Sequence, residues 1–246
     1  MRDKTSSRAE CVLRLAGAFL TAQVAGYLLL ILMQSAGISS PLYSLIKNTI
    51  CVAAVNAAAH FIFCGGISLP KRAEDYSRAE PVAIFFAAVL LSCLAAWITT
   101  LFIGGNKIMP YTPVSDTEFL LSAVYTVIIS PIAEELAFRG AALSMSARHG
   151  GVFALITTSL FFALYHLDIS QMPYTFVLGC MLSLLALRSG SVLPCIPVHM
   201  GNNLLTVLMS RFDISAVVDI VIPVLGAAAV IWIIAAKKFK LPRDNK

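Results

Sequence analysis

Charge is what this sequence has least of. Asp, Glu, Lys and Arg make up 13% of its 246 residues, against about 25% in soluble domains. Hydrophobic residues make up 59%, and the mean hydropathy is +0.84. An ordinary soluble domain is excluded, and the length leaves no room for a sizeable one beside a membrane part. The net charge of +5 is no nucleic-acid signal. It concentrates at the two termini, where membrane topology accounts for it. The six cysteines (Cys11, Cys51, Cys64, Cys93, Cys180 and Cys195) form no CxxC pair, so they read as small buried hydrophobes rather than redox or metal groups. HExxH is absent, which removes the common helical zinc-protease arrangement. GxSxG is absent too, and with it the serine-hydrolase elbow. There is no internal repeat and no low-complexity tract.

Long hydrophobic runs are what the chain does have. A membrane span needs about 20 mainly apolar residues. Eight runs qualify as candidates: 12–36, 42–67, 82–103, 118–147, 151–166, 172–187, 191–209 and 216–236. The expected fold is therefore all-α, a polytopic membrane helix bundle in which 1–246 form one integral membrane domain. Arg2, Lys4, Arg8 and Arg14 before the first run imitate a signal peptide. The run Leu15–Met33 exceeds an h-region of roughly 7–15 residues and reads as a retained span. Pro41, Pro70, Pro81 and the Gly104-Gly105 pair separate the first spans. Pro131 predicts a kink in the fourth, with the carbonyl four residues earlier released. The fifth and sixth are short, and fit a packed bundle core better than a lipid-facing rim.

Charge placement orients the bundle. With a cytoplasmic N-terminus, eight spans return the C-terminus to the cytoplasm. Of the eighteen Lys and Arg, Lys47, Lys107 and Arg211 fall in outside loops and Arg139 falls inside a span. The other fourteen lie inside, a strong positive-inside bias. In this topology Glu134, His166 and Asn203 all lie roughly 20 Å from the cytoplasmic ends of their spans, and His199 about 13 Å, at 1.5 Å per residue.

Those few polar residues need a reason, since an ionisable group in the bilayer centre costs about 2.5–3.5 kcal/mol on insertion scales. Three sets stand out: Glu134-Glu135 with Arg139, Phe162 with His166, and His199 with Asn203. Glu135 and Arg139 are spaced i, i+4 with the acid first, the favourable order for an ion pair. Adjacent residues point about 100° apart on a helix of 3.6 residues per turn, which leaves Glu134 facing another direction. A poorly solvated carboxylate suits general acid–base work. His199 and Asn203 share a face and offer two donors to one point, as a developing oxyanion requires. Helix-packing hydrogen bonds are the structural alternative for each set. His60 with Asn56 has the same spacing in the second span and reads as packing, because no carboxylate is near it in sequence. Glu134, Glu135, His166 and His199 also present mixed carboxylate and imidazole donors that a metal could take, with Glu134, His166 and His199 the first candidates. The sequence does not separate such a zinc site from a metal-free, carboxylate-activated water.

The ordered triple EExxxR, FxxxH and HxxxN, on separate hydrophobic helices, resembles the CPBP or Abi family of intramembrane proteases. That family takes in CAAX prenyl endopeptidases and bacteriocin-processing or immunity proteins. The resembling core covers residues 115–210. The resemblance implies about eight helices around a cavity open to cytosol and lipid. It assigns water activation to Glu134 with His166, oxyanion stabilisation to His199 and Asn203, and support to Glu135, Arg139 and Phe162. The implied activity is cleavage of a membrane-associated peptide: a lipidated C-terminus, a leader or signalling peptide, or a bacteriocin-type precursor. The expected setting is a prokaryotic plasma membrane, with the active site open to the cytoplasmic side. The alternatives are a non-catalytic binding or immunity protein with a membrane partner such as a sensor kinase, and a small proton-coupled transporter.

Overall fold

The computed structural model describes residues 6–38, 40–103, 115–212 and 220–236. The terminal charges at Arg2, Lys4, Lys237, Lys238, Lys240, Arg243 and Lys246 lie outside the described residues, as do Lys107, Gly104-Gly105 and the first residues of the 216–236 span.

Eight helices follow one another, with no strand among the described residues. They are α1 (Arg8–Gln34), α2 (Pro41–Cys64), α3 (Glu80–Ile103), α4 (Asp116–His149), α5 (Gly151–Tyr165), α6 (Met172–Ser189), α7 (Cys195–Arg211) and α8 (Ile222–Ala235). By length and composition, α1, α2, α3, α4 and α6 can cross a membrane, while α5 and α8 are shorter but apolar. Helix starts follow local chemistry. Ser7 and Ser115 each accept a hydrogen bond from the backbone N–H three residues on, at Glu10 and Glu118, in Ser-x-x-Glu capping sequences. Ser40 caps α2, whose first residue is Pro41. Gly150 and Gly190, at φ of 112° and 66°, separate α4 from α5 and end α6.

Packing sorts the helices differently from run length. Helix α6 is the core: two-thirds of it is buried, including Leu182, Leu185, Ala186 and Leu187. It packs between α5 and α3, and α3 packs on α8. Helix α5 is short as expected, but it presents Val152, Ile156 and Leu160 outward, a stripe at helical spacing. Its other face is buried through Ala154, Thr158, Ser159, Phe162 and Ala163.

Helices α2 and α4 are not uniform α-helices. Thr49–Ala54, Tyr125–Ile129 and Glu135–Ala142 run with i→i−5 hydrogen bonds. Such π-turns widen the helix and recur at functional sites. In α4 one turn precedes Pro131 and the other begins at Glu135, so they bracket Glu134.

One end of the bundle is sealed. The segment 65–79 folds over it: Ser68 N–H donates to Ser144 Oγ at 2.8 Å, and Ala73 N–H to the Arg188 carbonyl at 2.8 Å. Arg188 is fully buried and grips Glu80 through Nε at 2.7 Å and Asp75 through Nη2 at 3.0 Å. The Tyr76 phenol on this loop has its pKa raised, mainly by burial and then by the Glu80 carboxylate.

Candidate active site

Helix α4 brings two carboxylates to one imidazole on α7. His199 Nδ1 lies 2.8 Å from Glu135 Oε1, and its Nε2 lies 3.8 Å from Glu134 Oε2. The Glu135 carboxylate also takes Arg139 Nη1 at 2.9 Å. All four side chains are buried. The expected Glu135–Arg139 pair is formed, but Glu134 does not face elsewhere. The π-turn starting at Glu135 narrows the angle between the two acids, and a five-membered ring spans the gap between them.

The hydrogen bonds determine how that ring works. Glu135, already paired with Arg139, accepts from His199 Nδ1, which carries the proton. Nε2 is then turned toward Glu134. A separation of 3.8 Å exceeds direct hydrogen-bond reach, and one water can span it with bonds of about 2.8 Å to each side. Glu134 is held from its other oxygen by the Ser130 hydroxyl, one turn earlier. Sequence reasoning passed over Ser130, although its i, i+4 spacing to Glu134 was readable.

Phe162 is the hub. It is fully buried, with the Arg139 guanidinium 4.2 Å above its ring. The rings of Phe138, His166 and His199 meet it edge-on at 5.2, 5.1 and 5.8 Å. His166 closes α5 and is half-buried; its Nδ1 donates to the Phe162 carbonyl at 2.9 Å, leaving Nε2 as the acceptor. Leu167 follows in the left-handed region at φ 51°, a conformation unusual for a branched residue and found where a site constrains the chain. Asp168 orders the turn by accepting from Ser170 N–H at 2.9 Å and from Gln171 Nε2 at 2.9 Å. Hydrogen bonds from Ser170, first its hydroxyl and then its N–H, hold the Asp168 carboxyl below the usual range.

Asn203 reaches the site from one turn beyond His199, but its amide is engaged. Nδ2 donates to the Thr126 carbonyl at 2.9 Å. The reason lies in α4. Ser130 N–H bonds back to Tyr125, five residues earlier. The next bond in that register would run from residue 131 to Thr126, and Pro131 has no N–H to make it. That register leaves the Thr126 carbonyl open, and Asn203 satisfies it. One hydrogen of the Asn203 amide remains for other partners.

Gly179 on α6 completes the support. Its carbonyl accepts from Arg139 Nη2 at 3.4 Å. A Cβ there would stand 3.0 Å from Ser159 Cβ and 3.3 Å from Phe162 Cδ1. No spacing rule marks this glycine in the sequence. Beside the Thr126–Asn203 contact lies a cavity of about 510 Å³, lined in part by Ser44, Asn48, Ser122, Tyr125 and Thr206. It occupies the end of the bundle where α4 begins and α7 finishes, opposite Arg148, Arg188 and the sealing segment.

A zinc ion takes three protein ligands in a catalytic site. Among the described residues no group of three or more His, Cys, Asp or Glu side chains is placed to hold a metal. His199 Nδ1 is committed to Glu135, which leaves Nε2 as the ring nitrogen facing Glu134.

Residues 116–205 match the model of the family described as type II CAAX prenyl endopeptidase, Rce1-like. No curated protein and no solved structure matches the chain. The matched segment runs from the first turn of α4 into α7 and contains all three motifs, EExxxR, FxxxH and HxxxN. That match supports the resemblance of this segment to the CPBP, or Abi, family of CAAX-type intramembrane proteases.

Proposed function

We propose that the protein is a prokaryotic plasma-membrane endopeptidase that cleaves a membrane-associated peptide with a water activated between Glu134 and His199. The observation that carries this reading is the Glu135–His199–Glu134 line, with a proton on the Glu135 side and an open 3.8 Å gap on the Glu134 side. A water in that gap donates one hydrogen to each acceptor and turns its lone pairs outward, toward a scissile carbonyl. Glu134 takes the proton as the water attacks. Glu135 and Arg139 hold the imidazole in one tautomer. As the C–N bond breaks, Glu134 gives that proton up to the leaving amine through His166 Nε2. The free hydrogen of Asn203 Nδ2 stabilises the oxyanion, and His199 Nε2 keeps its bond to the hydrogen left on the attacking oxygen. In this account His199 is nearer the water than the resemblance implied, and His166 acts on the leaving group. No step is routed through a metal; metal content and chelator sensitivity of the purified protein test that part directly.

The substrate reaches the site along the cavity between α2, α4 and α7. The positive-inside count puts the Arg148 and Arg188 end in the cytoplasm, which makes the cavity end external. An active site entered from the cytoplasm requires the inverse orientation. Labelling of Ser210→Cys and Arg148→Cys variants with a membrane-impermeant reagent in intact cells separates the two.

The deciding experiment compares wild type with Glu134→Gln in a host lacking the gene, following small membrane-associated peptides by mass spectrometry. Peptides that appear with wild type should be lost with Glu134→Gln. Full function of the variant with an unchanged peptide profile sinks the protease reading and leaves a binding or partner protein. Solute flux dependent on Glu134 without a peptide product would indicate a transporter.

A further inference from the structure

Among the described residues, every buried side-chain nitrogen or oxygen left without a hydrogen-bond partner sits on one of two neighbouring elements. Asn56 Nδ2, Asn56 Oδ1 and His60 Nε2 are on α2; Glu135 Oε2 and Arg139 Nε are on the Glu135–Ala142 turns of α4. These elements pack against each other. Native interiors satisfy nearly all such atoms, and in lipid the penalty for leaving them bare is higher still. All five lie on two elements in contact.

The chemistry of the α2 pair narrows the ligand. Asn56 and His60 are each 1% exposed, so nothing larger than water has access. His60 Nδ1 lies 2.9 Å from the Asn56 carbonyl, which can only accept, so Nδ1 carries the proton and Nε2 needs a donor. The Asn56 side chain needs both a donor and an acceptor. Water supplies both, and a polar pocket offering two to four partners is what holds one. Two polar residues that merely packed would bond across helices; these do not.

The pair is also connected to the site. The His60 ring lies 4.5 Å from that of Phe138, Phe138 lies 5.2 Å from Phe162, and Phe162 meets His166 and His199. We propose that Asn56 and His60 hold a buried water against α4, and that through Phe138 they are positioning residues for the imidazoles of His166 and His199. The positioning role rests on the reading of those imidazoles as the working groups; the water site does not.

The test is nitrogen NMR of the full chain in nanodiscs with ¹⁵N-labelled histidine, the signals assigned by single substitutions. His60 Nε2 should resonate as a hydrogen-bonded acceptor and shift toward bare imidazole in Asn56→Leu, while Asn56→Ser, which keeps a donor and an acceptor, retains the original position. His60→Phe, which keeps a ring on Phe138, should shift the His166 and His199 signals. A His60 Nε2 signal unmoved by Asn56→Leu overturns the water site. Unmoved His166 and His199 signals in His60→Phe overturn the positioning role. These signals are read whether or not the protein cleaves a peptide, so a wild type without protease activity fails separately. Where cleavage is measurable, His60→Phe should lower kcat at unchanged KM.

Discussion

At the scale of single residues, the contact between Asn203 and Thr126 shows a motif position with two duties. Asn203 satisfies a carbonyl that Pro131 leaves open, and thereby ties α7 to the turn that carries Glu134. Replacing Asn203 with Ala should cost about 1 kcal/mol, the net value of one such bond. Pro131→Ala restores the missing N–H. The double variant should therefore lose less than the sum of the two single losses, read as thermal unfolding in detergent. Strict additivity would show that the Thr126 carbonyl is not the shared element. Arg139 gives a larger effect. Its guanidinium is buried on Glu135 and Phe162, and Arg139→Met leaves Glu135 an unpaired buried charge. The expected loss is roughly 3–5 kcal/mol, largely recovered when Glu135→Gln is added.

At the scale of helices, close crossings rest on glycine. A Cβ at Gly26 would lie 2.5 Å from the Cys51 carbonyl, and one at Gly226 would lie 2.9 Å from that of Phe86. Small residues at such crossings let backbones approach in membranes. Gly26→Ala should destabilise by about 1–3 kcal/mol, the usual cost of overpacking, with cleavage per folded molecule unchanged. Gly179→Ala presses on Ser159 and Phe162, which can give slightly, so its stability loss should be smaller. Its activity loss should be the greater of the two, because Phe162 seats both imidazoles. Equal activity of the two variants per folded molecule would refute that division. The helical class and the approximate bounds of the described helices were legible in the sequence, since they depend on apolar run length and on residues within a turn of each other. The i→i−5 turns were not: their hydrogen-bond register depends on neighbours such as Asn203, far along the chain.

At the scale of the molecule, the segment 65–79 closes over one end of the bundle, and the cavity lies toward the other. Arg188, on the core helix, clamps the sealing segment through Glu80 and Asp75. Arg188→Met strands Glu80 and should free residues 65–79, seen as rapid cleavage there by added protease. Asp75 is half exposed, so Asp75→Asn should change little. Equal protease resistance of Arg188→Met and wild type would show that the clamp is not what holds the segment. The cavity at the opposite end was invisible in the sequence, because its lining comes from three helices separated by intervening spans. Depth counting along each helix put the polar sets at comparable levels, but it carried no information on where the segment 65–79 or the cavity would lie.

The membrane fold, the helix order and the identities of the three motifs were determined by the sequence alone, because they follow from apolar run length and from spacings of one helical turn. Only the tertiary structure decided that both glutamates address one imidazole, that Asn203 is occupied by a proline's missing hydrogen bond, and that Asn56 and His60 lie against the motif helix. Those outcomes depend on the angle at which α2, α4 and α7 meet. That meeting is made by the widened turns of α2 and α4 and by contacts between residues distant in sequence, where local pattern carries no signal.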